Sequence, residues 1–172
     1  FKNHQGVDLF AIEGTNAYAC LNGEVILVGD NPKREGLGQF VIIKVTDPKE
    51  LEIFRERRIN YIPQNLEKAQ GEGFNPSSSQ IFFSYYHLKT ISPKIKIGTS
   101  VQTGDIIGTT GTTGVPGGTK GPHLHFEIKS LNTFKGLKDR CNPAFYVHYT
   151  QEGKIPPAEK EIQRRRKEKG QY

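Results

Sequence analysis

Apolar residues along the chain fall in short blocks separated by turn-forming residues. Gly6 to Ile12 predicts a strand, with Phe1 to Asn3 leading in. Ala17 to Cys20 and Glu24 to Val28 predict two more, split by Asn22-Gly23, a pair suited to the positive φ of a tight hairpin. Gln39 to Val45 is a β-branched run behind the breaker-rich stretch Asp30 to Gly38, and Ile81 to Leu88 is aromatic and apolar. Val101, Ile106 and Ile107 lie around a turn at Thr103-Gly104. His123 to Ile128 predicts a further strand, and Phe145 to Tyr149 is a candidate for the last. Short strands with turn signals between them predict an all-β fold with a compact, mostly antiparallel sheet core.

The segment from Asp47 to Gln80 breaks this rhythm. Asp47 suits an N-cap, Pro48 suits the first helical position, and Glu50 completes a capping-box pattern. Leu51 and Phe54 then share one face, so a helix is expected from about Pro48 to Arg58, with a second short one from Gln64 to Gln70 and a polar loop from Gly71 to Ser79. The segment reads as a small helical insertion between two core strands, placed near one end of any groove beside the Tyr86-His87 strand. The stretch after Gly153 has Ala158 and Ile162 as its apolar pair at helical spacing, which predicts at best a solvent-facing helix.

Composition narrows the class. With 172 residues and 34% hydrophobic positions, the chain suits one domain with a modest core. It has no Met, and so reads as a processed or trimmed piece of a longer product. No apolar run approaches the ~18 residues of a membrane span. Net charge is +6, but residues 151–172 carry seven basic and four acidic groups, much of the excess in the run from Arg164 to Lys167. Basic residues and aromatics do not interleave along any stretch, so a solvated basic tail is expected and nucleic-acid binding is not. Cys20 and Cys141 leave two readings open, one disulfide or two thiols, and without a CxxC there is no Cys-type structural zinc site.

The five histidines are His4, His87, His123, His125 and His148. On a strand, residues two or four apart share a face. His4 and Asp8 would then point the same way, with Gly6 leaving space between them. His123 and His125 would share a face while Leu124 and Phe126 point into the core. Two such strands side by side would bring three or four ligands to one point, and a His/His/carboxylate set with an open fourth position is a usual shell for catalytic zinc. Either pattern alone is weak; their co-occurrence among so few histidines is far more specific. His148 has no partner pattern and reads as structural. HExxH and GxSxG are absent, and the Gly/Thr stretch from Gly108 to Gly121 lacks the Gly-Lys-Ser/Thr ending of a phosphate loop. A cysteine hydrolase is disfavoured because neither cysteine has a helix N-terminus or an adjacent base.

These motifs resemble the lysostaphin/LytM-type zinc endopeptidases. The resemblance rests on His4-x-Gly6-Val7-Asp8, Tyr86-His87-Leu88, Gly121-Pro122-His123-Leu124-His125-Phe126-Glu127, and the bridge Val101-x-x-Gly104-Asp105-x-Ile107-Gly108-x-x-Gly111-x-Thr113-Gly114, with Asn142-Pro143 near the end. It runs from about Lys2 to Tyr149 and implies a LytM-type metallopeptidase domain over 1–150, with the helical insertion at 47–80, and a basic tail over 151–172. It implies an antiparallel β-core with a narrow groove, one Zn²⁺ held by His4, Asp8 and His125, and His87 and His123 flanking the attacking water. It further implies a peptidoglycan endopeptidase acting outside the cytoplasm, in the periplasm, cell envelope or medium, with peptidoglycan peptides as its partners and any regulatory protein partner left open. The alternative is a relative that binds cell wall or activates another hydrolase without cutting. A compartment of that kind would let a Cys20–Cys141 disulfide persist. The loop from Val115 to Lys120 and the helical insertion depart from the common core, and so does the start three residues before His4, since the family usually has another strand and loop there. These departures bear on substrate fit.

Overall fold

The computed structural model describes residues 4–33, 36–56, 80–115, 121–134, 139–141, 143, 146 and 154–169. Among the described residues, nine strands form one sheet: β1 (Val7–Phe10), β2 (Asn16–Tyr18), β3 (Gly23–Gly29), β4 (Gln39–Val45), β5 (Phe82–Ile91), β6 (Ser100–Val101), β7 (Ile106–Thr110), β8 (His123–Lys129) and β9 (Arg140–Cys141). The main order is β1-β8-β5-β4-β3-β6, with β2 on β7, β7 on β5 and β9 on β8. Every pairing among these strands is antiparallel, so the expected all-β, mostly antiparallel core is met.

The sheet is buried on both faces at its centre. β4 shows this in its sequence, where Phe40 to Ile43 is a continuous apolar run rather than an alternation. Val41, Ile43 and Val45 enter the larger core with Phe83, Tyr85, Leu124, Phe126 and Ile128. Phe40 and Ile42 enter a smaller cluster on the other side with Phe82 and Tyr86. Phe126 anchors the larger core, with ring centroids 5.4 Å from Phe83 and 5.1 Å from Tyr85. Each aromatic pair of this kind adds about 0.5–1.5 kcal/mol beyond its burial.

Three expectations are corrected. Asn22-Gly23 does not close a hairpin between β2 and β3, because β2 pairs β7 while β3 pairs β4 and β6. Long-range hydrogen bonds decide the matter: Asn22 Oδ1 accepts from Thr103 N–H at 2.8 Å and the Asn22 carbonyl accepts from Thr46 N–H at 2.9 Å. Gly23 begins β3 opposite Val45. The short β9 went unpredicted, two residues being too few for a periodic signal. β5 also runs past Leu88 to Ile91, because β7 supplies a second partner for its end.

The first insertion helix is present as α1 (Glu50–Glu56). Asp47 Oδ1 accepts from Lys49 N–H at 3.0 Å, as a cap should, and Leu51 is buried in the core. The second helix at 64–70 and the loop at 71–79 lie outside the described residues, as do residues 1–3, most of the strand expected at 145–149, and His148. Tyr146, within that last span, lies in a turn. The tail forms α2 (Pro157–Glu168), where Glu161 pairs with Arg164 and Arg165 in solvent and Ile162 is exposed. No helix among the described residues is long and apolar enough to cross a membrane.

Cys20 is exposed and Cys141 is buried, and no disulfide joins them. The unfolded, unreduced protein should therefore titrate two thiols with a disulfide-exchange reagent. None would show that the two are bridged.

Candidate metal centre

The alternation along β8 positions the site. Leu124, Phe126 and Ile128 are buried in the larger core, which leaves His123, His125, Glu127 and Lys129 on the opposite face. β1 and β5 flank β8, so Asp8 stands opposite His125 on one side and Tyr86 opposite His125 on the other. His4 lies just before β1 rather than within it, which corrects the strand expected to carry both ligands. Gly6 does not leave space either. The chain there runs so close to β8 that a Cβ would meet the Phe126 carbonyl oxygen. That close approach brings His4 over Asp8.

Asp8 is the hub. Its Oδ1 lies 3.1 Å from His4 Nε2, 2.8 Å from His125 Nδ1 and 3.9 Å from His123 Nε2. One ligand atom from each of His4, Asp8 and His125 lies within 4.8 Å of the other two. Tetrahedral zinc with bonds of ~2.0–2.1 Å separates its ligands by roughly 3.3 Å. The observed spacing brackets that value, and two imidazoles with one carboxylate are a donor set zinc prefers. These residues fit the ion.

Both ring nitrogens of His125 face carboxylates, Nδ1 toward Asp8 and Nε2 toward Glu127 at 3.2 Å. Burial opposes charging this ring, but the hydrogen bonds to Asp8 and Glu127 outweigh it and raise its pKa. A metal at Nδ1 would take the place of the proton on that nitrogen.

The remaining two imidazoles are held alike. His87 Nδ1 lies 2.8 Å from the Thr113 carbonyl oxygen, and His123 Nδ1 lies 2.9 Å from that of Gly121. A carbonyl only accepts, so Nδ1–H donates in both, and Nε2 is the nitrogen left to exchange a proton. The rings are neighbours, with centroids 4.9 Å apart, and His87 is 5.9 Å from His125. Burial pushes the His87 pKa down to about 4, with partial offset from the Thr113 carbonyl, so this ring is neutral at pH 7.

His87 has φ +61°, unusual for a residue with a Cβ. The cause is its place in β5, where pairing passes from β8 (Phe82 to Tyr86) to β7 (Leu88 to Ile91). Such a conformation costs on the order of 1–3 kcal/mol and persists only where its surroundings impose it. Here they do: His87 N–H donates to Leu37, Thr113 Oγ1 donates to the Leu88 carbonyl at 2.6 Å, and Gln39 N–H donates to Thr113 Oγ1 at 2.9 Å. Gly38, at φ +63°, lies where a Cβ would strike Thr113. The structure thus brings together all five predicted residues, His4, Asp8, His87, His123 and His125. Thr113 and Glu127 stood in the sequence motifs without a role, and Arg140, which reaches Glu127, carried no sequence signal.

Residues 76–139 match the model of Peptidase family M23. No curated protein matches the chain significantly. Among solved structures, a variant catalytic domain of the prophage-encoded M23 protein EnpA from Enterococcus faecalis is 25% identical, with 83% of this chain and 78% of that one covered and a TM-score of 0.52. The catalytic domain of the antimicrobial peptidase lysostaphin from Staphylococcus simulans is 24% identical over 81% of this chain and 75% of that one, with a TM-score of 0.53. Csd3 of Helicobacter pylori is 22% identical over 99% of this chain and 33% of that one, with a TM-score of 0.52. The last two bear on the fold alone. The expected likeness to lysostaphin/LytM-type peptidases is met, and the comparisons support a peptidase.

The close approach at Gly6 generates a prediction. Gly6→Ala should push β1 away from β8 and lower stability by about 1–3 kcal/mol, as overpacking does. Urea unfolding measures it; an unchanged midpoint would contradict the close packing.

Proposed function

We propose that the chain is a zinc metalloendopeptidase that hydrolyses peptide bonds in bacterial peptidoglycan, in its cross-links or stem peptides. The observation that carries this is the convergence of His4, Asp8 and His125 within 4.8 Å, beside two further imidazoles whose Nδ1 atoms are tied to backbone carbonyls. The domain is residues 1–150 with its insertion at 47–80, and 151–172 is a basic tail. The motif resemblance to lysostaphin/LytM-type endopeptidases, with the M23 match over residues 76–139, supports peptidoglycan as substrate, and with it a site of action outside the cytoplasm, in the periplasm, envelope or medium.

One Zn²⁺ at His4 Nε2, Asp8 Oδ1 and His125 Nδ1 would polarise the scissile carbonyl and make the attacking water more acidic. The chain's own residues do the rest. His87 and His123 both have Nδ1 tied to a backbone carbonyl, so Nε2 is the nitrogen through which either ring can take the water's proton. Once charged, that ring donates from Nε2 to the leaving amine or to the developing oxyanion. Their Nδ1–H bonds to Thr113 and Gly121 fix ring orientation and tautomer, so no reorganisation is needed during the reaction. The positive φ of His87 turns its ring out of the plain strand alternation, which would otherwise place it on the face opposite Tyr86.

Mass spectrometry of purified peptidoglycan after incubation with the zinc-loaded protein should show newly freed amino and carboxyl ends and identify the bond. His125→Ala should lose zinc. His87→Ala and His123→Ala should keep it but release products at least about a hundredfold more slowly. The double variant should lose less than the product of the two losses, because both groups serve one reaction coordinate. A folded, zinc-loaded wild type that releases nothing from any cell wall would point instead to a non-cutting wall-binding or hydrolase-activating protein.

A further inference from the structure

Behind the site lies a buried charged cluster that takes no part in the chemistry above. Glu127 follows His125 by two residues on β8 and so shares its face. It is 2% exposed, and its two oxygens serve different partners: Oε1 accepts from His125 Nε2 at 3.2 Å, and Oε2 accepts from Arg140 Nε at 3.2 Å. Arg140 comes from β9, whose pairing with β8 sets it beside Lys129. Its other nitrogens are fixed too, with Nη1 3.1 Å from Asp139 Oδ1 and Nη2 donating to the Thr133 carbonyl at 3.1 Å. Lys129 donates to that same carbonyl at 2.9 Å and lies 3.9 Å from Glu127 Oε2. Two cations and two anions are thereby enclosed next to the donor set.

Stability is a poor reason for such a cluster. Removing charges from water costs several kcal/mol per ion, and apolar replacements of buried ion networks are often neutral or stabilising. Its connection to His125 supplies a better one. An imidazole has two nitrogens and can rotate to present either. With Nε2–H held by a fixed carboxylate, the ring has one orientation, and Nδ1 faces Asp8 at 2.8 Å. A carboxylate on the far nitrogen also increases the ligand's basicity. Glu127 can do this only while its carboxylate stays in place, which Arg140 and Lys129 secure.

We infer that Glu127 and Arg140 are positioning residues for His125, with Arg140 acting on the metal site through Glu127. This rests on the metal site proposed above, but its test needs no substrate.

The zinc dissociation constants of wild type, Glu127→Gln, Arg140→Met and the double variant can be measured by chelator competition. Near-ultraviolet circular dichroism and melting temperature on the same samples report folding. Glu127→Gln should weaken zinc binding by about 10–100-fold. Arg140→Met should weaken it less, and the double variant should match Glu127→Gln within a few-fold, because Arg140 acts on the metal through Glu127. If Arg140→Met does not fold, Arg140→Lys keeps the buried charge without the fork, and it should show a smaller loss of the same kind. Spectra of ¹⁵N-histidine in the zinc-loaded wild type should show His125 Nε2 still protonated. Unchanged zinc affinity in folded variants, losses that multiply in the double variant, or a metallated His125 Nε2 would each overturn the inference. In these cases the zinc site itself would stand. A wild type that binds no zinc would overturn the metal reading together with this one.

Discussion

Side-chain alternation along β8 is the constraint on which the rest of the molecule depends. Leu124, Phe126 and Ile128 can enter the larger core only if His123, His125 and Glu127 emerge on the other face. A slip of one residue against β1 or β5 would bury the histidines and expose the aromatics, so hydrophobic burial fixes the register of the polar face. The register then delivers Asp8 from β1 opposite His125. The Phe126 ring packs with Phe83 and Tyr85 on one side, while its backbone oxygen sets how closely Gly6 can pass, and with it the position of His4. Core packing and site geometry are two results of one strand's placement.

The second requirement is a change of partner within β5. A strand paired with β8 throughout would follow simple alternation, and His87 would not reach the face that carries His123 and His125. Passing from β8 to β7 at this point forces the left-handed backbone of His87 and re-aims its ring. Thr113 holds the junction from three sides, through Gln39, Leu88 and His87 Nδ1. Local strain is here compensated by hydrogen bonds from segments far apart in sequence.

Much of this was legible from the residues, because the two-residue period of strands carries both burial and chemistry. The core strands at Gln39 to Val45 and His123 to Ile128 were readable from β-branched and aromatic runs. His123 and His125 were readable because HxH is spaced for one strand face, whereas His4 lies before β1 and reaches Asp8 through the close crossing at Gly6. What the sequence hid was long-range. Asn22-Gly23 has the composition of a hairpin turn, but Thr103 and Thr46 claim Asn22 for other connections. Gly6 suggested open space, whereas a close strand crossing needs it. The positive φ of His87 and the link from Arg140 to His125 depend on which strands become neighbours, and no local pattern encodes that.

The central claim is that one ion sits between His4, Asp8 and His125, with His87 and His123 left to handle protons. Anomalous diffraction from crystals of the zinc-loaded protein, collected on either side of the zinc absorption edge, tests it most directly. A single strong peak is expected within bonding distance of His4 Nε2, Asp8 Oδ1 and His125 Nδ1, with His87 and His123 outside its coordination sphere. A peak held instead by His87 and His123, or no peak in this cluster from crystals shown to contain zinc, would contradict it.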